Sequence, residues 1–225
     1  MTPPDVTQVT PFTIGKVFTF LFLTLGPLKI IGPFASMTRG RDGRFKRRLA
    51  FQGILIAAFA LFVAATVGAM ALERWGISIG ALELTAGVVL FLVALQPVLA
   101  QYDSHDSQPA TPDSDGAPPS VSSMAFTPLA FPTIVTPYGI AILIMLVALR
   151  ADDPAIAPRL LGVTAAVLVL DLLAMLGAER ILKTPFVKPL LGIVGAVVGV
   201  LQVALGVQAI VAGLRLLGIV SAGPG

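Results

Sequence analysis

The sequence predicts an all-α membrane protein: six transmembrane helices in two inverted three-helix repeats, with helices 1 and 4 broken by Gly and Pro. Three observations predict it. Hydrophobic residues make up 56% of the 225 positions and charged residues only 12%, against about 25% charged in an average soluble domain. The apolar residues fall in six blocks, each able to supply the ~20 helical residues that cross a hydrocarbon core. Two of the blocks carry prolines at corresponding positions. Too few charges remain to cover a soluble globule, and an apolar-rich chain cannot be disordered throughout. The short alternating segments of a membrane barrel are absent.

The first span is read at 12–37. The stretch before it, Met1 to Thr10, has Asp5 and no Lys or Arg, and the span contains two Gly-Pro pairs and Lys29. Those features suit no cleaved leader, so it is expected to stay as a helix. The loop after it holds Arg39, Arg41, Arg44, Lys46, Arg47 and Arg48, six of the chain's 15 basic residues. Spans 49–72 and 77–100 follow, with Trp75 at the interface between them. Residues 101–123 are rich in Asp, Pro and Ser and offer nothing to bury, so they are expected to form a flexible acidic cytoplasmic linker. His105 lies there and is read as a solvated loop histidine. Spans 126–149, 159–182 and 189–214 complete the set. The whole chain, 1–225, is thus one membrane domain with halves at 12–100 and 124–218.

Lys and Arg in the connections set orientation. Nine lie on the side of the first loop and five on the other. The richer side is expected to be cytoplasmic, which leaves both termini outside. The net charge of +3 comes largely from this local cluster and implies lipid rather than nucleic acid as the partner. There is no cysteine, so disulfides and thiolate chemistry are excluded. One histidine and no phosphate loop leave no enzyme, metal or cofactor motif, and none is expected.

Paired helix breaking is the strongest site signal. The first span reads Gly26-Pro27-Leu28-Lys29-Ile30-Ile31-Gly32-Pro33-Phe34, and the fourth reads Pro128 to Gly139 through Pro132, Thr133, Thr136 and Pro137. Each proline removes an N–H donor, and freed carbonyls at membrane depth need protein or a wet cavity beside them. Interrupted helices at matching places in two halves point to a transporter site. Intramembrane charges are the second signal, because each is costly in lipid. Asp171 sits at the middle of the fifth span, Lys29 in the first break and Glu83 near the start of the third span. At ~1.5 Å rise per residue, Lys29 lies roughly 6–7 Å from the depth of Asp171 and roughly 15 Å from that of Glu83. An ion pair of Lys29 with Asp171 is therefore expected. The predicted substrate-binding set is Pro27, Lys29, Thr133, Thr136, Pro137 and Asp171, with Glu83 and Gln208 as secondary candidates. Gln96, Gln202 and Gln208 are read as helix-to-helix hydrogen bonders. The sixth span carries Gly192, Gly195, Gly199, Gly206 and Gly213, a smooth stripe for close helix packing, within the chain or in a homodimer.

The run Ser123-Met124-Ala125-Phe126-Thr127-Pro128-Leu129-Ala130-Phe131-Pro132, with Pro137 and Ile140, resembles the fourth-helix signature of the MarC family of bacterial inner-membrane proteins. Trp75-Gly76-Ile77-Ser78 with Leu82 and Gly87 is similar to its third-helix motif, and Gly199, Gly206-Val207-Gln208 and Gly213 to its sixth. The resemblance runs from about residue 12 to 218. It implies six spans and a multi-pass place in the bacterial inner membrane. It also implies membership of a group placed with LysE-type exporters, some of whose members are classed as neutral amino-acid transporters. This chain departs from the family's first-helix pattern, Asn-Pro-x-Gly-Asn-x-Pro-x-Phe. Pro27 and Phe34 match, while Gly26, Lys29, Ile30 and Gly32 replace the Asn, Gly, Asn and Pro. Thr136-Pro137-Tyr138 replaces a Gly-Pro-Gly, and Glu83 stands where the family has an Arg. The expected function is a secondary transporter or exporter of a small polar or zwitterionic solute. The competing reading is a non-transporting assembly or envelope-stress component. A wet cavity at the bilayer midplane separates the two.

Overall fold

The structure is a computed structural model describing residues 14–100, 120–148, 156–184 and 186–220. Among these residues every regular element is helical. α1 (Ile14–Leu25) ends in a turn through residues 26–30, and α2 (Ile31–Met37) follows. With 12 and 7 residues, neither could cross a hydrocarbon core of about 30 Å alone. The first expected span is therefore a broken element, not one continuous helix.

α3 (Gly43–Arg74) begins at Asp42, whose side chain accepts from the Phe45 N–H at 3.2 Å. That cap starts the helix earlier than hydropathy suggests. Arg44, Lys46, Arg47 and Arg48, expected in a loop, form its first turns instead. α4 (Ile79–Ala100) starts where the Ser78 hydroxyl accepts from the Ala81 N–H at 3.2 Å. Most of the expected linker, residues 101–119, lies outside the described residues. Its last residues are helical, a correction to the 101–123 boundary. Ser120 accepts from the Ser123 N–H at 3.2 Å and caps α5 (Val121–Met124).

Ala125–Ile134 continues α5 as wide π-type turns with Thr127 and Phe131 in extended geometry, and α6 (Pro137–Ala148) resumes beyond. The two parts bend by 64°. α7 (Ile156–Lys183) and α8 (Val187–Leu216) close the described fold. Four helices, α3, α4, α7 and α8, are long and apolar enough to cross a membrane, and the bent α5–α6 pair makes a fifth.

The packing has two bodies joined through α6. α3 packs on α6 and on α7, α7 holds α1 and α2, and α6 packs on α4 as extensively as on α3. α3 and α7 run antiparallel and are joined at one end by an ion pair between Lys46 and Glu179. The basic start of α3 and the end of α7 thus lie on one side, as the charge count requires.

The second body is the antiparallel pair α4 and α8, the most extensive helix contact in the fold. Glycine makes it close. A Cβ on Gly87 would lie 2.6 Å from the backbone nitrogen of Ile210, one on Gly206 2.7 Å from that of Phe91, and one on Gly213 2.5 Å from that of Leu84. Backbone touches backbone, the approach that small residues permit between membrane helices. The later part of the glycine stripe therefore works within the chain, while Gly192 and Gly195 face open space. Outside both bodies, Leu55, Phe59 and Phe62 of α3 and Ile193, Val197 and Val200 of α8 are exposed. An apolar surface of this extent belongs in lipid.

Candidate functional site

Both helix breaks have the same chemical cause, and the structure repairs them differently. Pro27 has no N–H to give the Leu23 carbonyl four residues earlier. The Gln202 amide, from the middle of α8, donates to that oxygen at 2.7 Å. The Thr24 carbonyl, also in the last turn of α1, accepts from the Lys29 ammonium. A cation at a helix C-terminus also meets the negative end of the helix dipole. Gly26 closes the turn. A Cβ there would lie 1.9 Å from the Phe22 carbonyl oxygen, a contact no side chain can make.

In the second break Pro128 and Pro132 interrupt the helix, the backbone continues in π-type turns, and the Thr133 hydroxyl donates to the Pro128 carbonyl at 2.7 Å. Thr136 then caps α6, its hydroxyl accepting from the Gly139 N–H at 3.2 Å. Pro137 fills the first helical position, where a missing donor costs nothing. The two breaks meet: a Cβ on Gly139 would lie 2.5 Å from the side chain of Leu25.

A cavity of about 290 Å³ opens at this meeting point. Lys29 and Thr24 line it from the first break, and Thr133, Thr136, Pro137 and Tyr138 from the second. Gln202 comes from α8, and Val89, Leu90, Val93 and Ala94 from the middle of α4. The size lies near the lower end for small-molecule sites. Among the described residues Lys29 carries the one formal charge on this lining. A larger cleft of about 460 Å³ lies between α3, α6 and α7. It is almost wholly aliphatic, and its Thr66 and Thr164 hydroxyls are spent on their own helix carbonyls.

Of the six residues expected to bind substrate, the cavity gathers Lys29, Thr133, Thr136 and Pro137. Pro27 and Asp171 lie outside its lining. Asp171 is fully buried on α7, and neither carboxylate oxygen has a hydrogen-bond partner. It lies within electrostatic reach of Lys29. The expected direct ion pair is not made. Among the described residues Lys46–Glu179 is the one ion pair, because the Lys29 ammonium is committed to the Thr24 carbonyl.

The secondary candidates Glu83 and Gln208 line a separate cavity of about 240 Å³, again with Tyr138. Gln202 and Tyr138 were not among the expected site residues. The signal for Gln202 was present, a lone amide facing a proline-orphaned carbonyl, but the pairing of span 6 with the first break was not readable. Among the described residues no three groups are placed to hold a metal ion.

The family model for MarC family integral membrane proteins matches residues 12–217. The chain belongs to the MarC family. A membrane protein of Archaeoglobus fulgidus is 26% identical over 179 residues, 80% of this chain and 79% of the relative. One from Methanocaldococcus jannaschii is 27% identical over 205 residues, 88% of this chain and 94% of the relative. The inner membrane protein MarC of Salmonella paratyphi A is 25% identical over 132 residues, 58% of this chain and 60% of that protein. No solved structure matches the chain. This MarC-family chain is an integral membrane protein with several spans, and the Salmonella relatives are named as inner-membrane proteins.

Proposed function

We propose that this MarC-family protein is a secondary transporter or exporter of a small polar solute bearing a carboxylate, such as an amino acid. One observation carries the reading. Two helices broken by proline converge, half-way along α4 and α8, on a cavity that holds a lysine, three threonines and a glutamine within an apolar bundle. The Lys29 ammonium is the natural partner of a carboxylate, and it sits at the mouth of a break rather than in a neutralised ion pair. The Thr136 hydroxyl, which accepts from the Gly139 N–H, can donate to the polar remainder of the solute, and the Thr133 oxygen, which donates to the Pro128 carbonyl, can accept from it. A purely structural bundle has no use for such a chamber.

The packing supports six spans in two inverted halves. Each span expected to correspond to another packs against it: α1 against α6 at the breaks, α3 against α7, and α4 against α8. The latter two pairs are antiparallel, as a two-fold axis in the membrane plane demands. α1 with α2 then forms the sixth span, the basic face lies in the cytoplasm and both termini lie outside. A homodimer through α8 would use its first half, where Gly192 and Gly195 are open.

The test is flux. Purified protein in proteoliposomes, loaded with unlabelled amino acids, should accumulate labelled alanine, serine or threonine by counterflow. Lys29→Met should lose that uptake while keeping a monodisperse fold. No flux of any carboxylate-bearing solute in folded protein would favour the non-transporting reading.

A further inference from the structure

The Lys29 cavity and the Glu83 cavity lie on one seam. Along α4 the first is lined by Val89, Leu90, Val93 and Ala94, and the second by Leu82, Glu83 and Ala86. These positions recur every three or four residues, so they share one helix face. On α8 Gln202 belongs to the first cavity and Leu205, Gln208 and Ala209 to the second. The two helices are antiparallel, and both place the cavity centres about seven residues apart, roughly 10 Å along the axis.

Among the described residues Tyr138 alone lines both cavities. Its side chain is 5% exposed, and it stands between them as a wall. Among the described residues Glu83 is the one formal charge on the second lining, and it lies within electrostatic reach of the Tyr138 hydroxyl. The seam thus presents a carboxylate on one side of the tyrosine and an ammonium on the other. Nothing in the packing of the bundle calls for this. Glu83 has no ion-pair partner among the described residues, and an acid within a membrane helix is costly unless it faces water or a ligand.

We propose that the Glu83 cavity is a second binding station, for a primary ammonium group, in series with the Lys29 cavity and divided from it by the Tyr138 side chain. The proposal rests on the transport reading for its sequence of events but not for its geometry. The ammonium end of the solute is held at Glu83, with the Gln208 amide beside it. Passage requires the Tyr138 ring to yield, and the carboxylate is then received by Lys29. A simple amino acid is too short to touch both charges at once across roughly 10 Å, so the stations are occupied in turn. The opposite signs reject simple anions at one station and simple cations at the other, which is discrimination by repulsion.

The cysteine-free chain allows a test that needs no transport. Ala86→Cys and Ala94→Cys place single thiols in the second and first cavities. Each variant is exposed, in vesicles of known orientation, to membrane-impermeant cationic and anionic methanethiosulfonates. The two thiols should react from opposite faces of the membrane. The Ala86→Cys protein should favour the cationic reagent about tenfold, as a charged cleft concentrates the opposite sign, and Glu83→Gln should erase that preference. Methylammonium should protect the thiol of the Ala86→Cys protein and not that of the Ala94→Cys protein. Adding Tyr138→Ala should open each thiol to both faces. Reaction of both from one face with Tyr138 intact, or no charge preference and no methylammonium protection in the Ala86→Cys protein, overturns the proposal. Flux is measured in parallel. Absent flux with the expected labelling pattern would remove the transport reading and leave the two stations standing.

Discussion

The two helix breaks begin from the same deficit and end in opposite states of dependence. In the first, the carbonyl stranded by Pro27 is satisfied by Gln202, 179 residues away on α8, and the neighbouring carbonyl by Lys29. In the second, the Pro128 carbonyl accepts from the Thr133 hydroxyl, five residues away, and Thr136 caps the helix that follows. The second break is complete within its own segment. The first is complete only while α8 stays docked. α8 is packed backbone to backbone on α4, so the first break depends on the docking of that pair through Gln202 and the second break does not.

Substitution of the turn glycines should produce the largest effect and the clearest contrast. Gly26→Ala puts a methyl 1.9 Å from the Phe22 carbonyl oxygen, so the backbone itself must move. A cost of about 3 kcal/mol or more is expected, at the upper end for overpacking. Gly139→Ala meets the tip of Leu25 at 2.5 Å, a side chain that can change rotamer, and about 1 kcal/mol is expected. Thermal unfolding in detergent, read by loss of the monodisperse peak, should rank the two in that order. Equal effects would mean that the first turn is as adaptable as the second.

Next in size is the charge held at the first break. Lys29→Met removes the ammonium that donates to the Thr24 carbonyl and takes from Asp171 the cation within its reach. Asp171 is fully buried and makes no hydrogen bond. A loss of about 2–3 kcal/mol is expected, less than for breaking a direct buried pair. Lys29→Met with Asp171→Leu should recover about 1 kcal/mol or more, the usual scale of coupling between interacting sites. Strict additivity in this double-mutant cycle would show that Asp171 does not sense Lys29.

What the sequence could and could not foretell follows from the range of the forces involved. α4, α7 and α8 begin or end within a few residues of the spans read from hydropathy, because apolar length is a local property. Lys29, Thr133, Thr136 and Pro137 were legible as a set because proline removes a donor wherever it stands. α3 was misjudged at its start because a cap, Asp42, decides a helix boundary more finely than hydropathy does. The Lys29–Asp171 pair was expected from depth alone. Depth is only one coordinate, and the nearer Thr24 carbonyl won the ammonium. Gln202 and Tyr138 were missed as site residues because a single sequence does not say which face of one helix meets which break of another.

The hydrogen bonds across the breaks come third. Gln202→Leu leaves the Leu23 carbonyl with no substitute donor, since its helical partner would be the N–H that Pro27 lacks. About 1–2 kcal/mol is expected, within the range for stranding a buried acceptor. The loss should act mainly on the docking of α8. Crosslinking between single cysteines on α1 and α8 should therefore weaken more than crosslinking between α4 and α8. If both weaken equally, Gln202 is not the tie between the two bodies.

The smallest effect is expected at Thr133, and its smallness is the point. Thr133→Val keeps the shape and removes the hydroxyl that serves the Pro128 carbonyl. Side-chain hydrogen bonds inside membrane proteins average about 0.6 kcal/mol when measured by mutant cycles, and this residue is only partly buried beside the cavity. Water in that cavity can stand in for the lost donor more readily than at the Leu23 carbonyl, whose bond to Gln202 is half-buried. Thr133→Ser restores the hydroxyl and should restore stability. The stability change at Thr133 should thus stay below that at Gln202, while flux falls in Thr133→Val because the same hydroxyl faces the solute. A stability loss at Thr133 as large as at Gln202 would show that the second break is not self-sufficient. The contrast between a break tied to a distant helix and one tied only to itself would then fail.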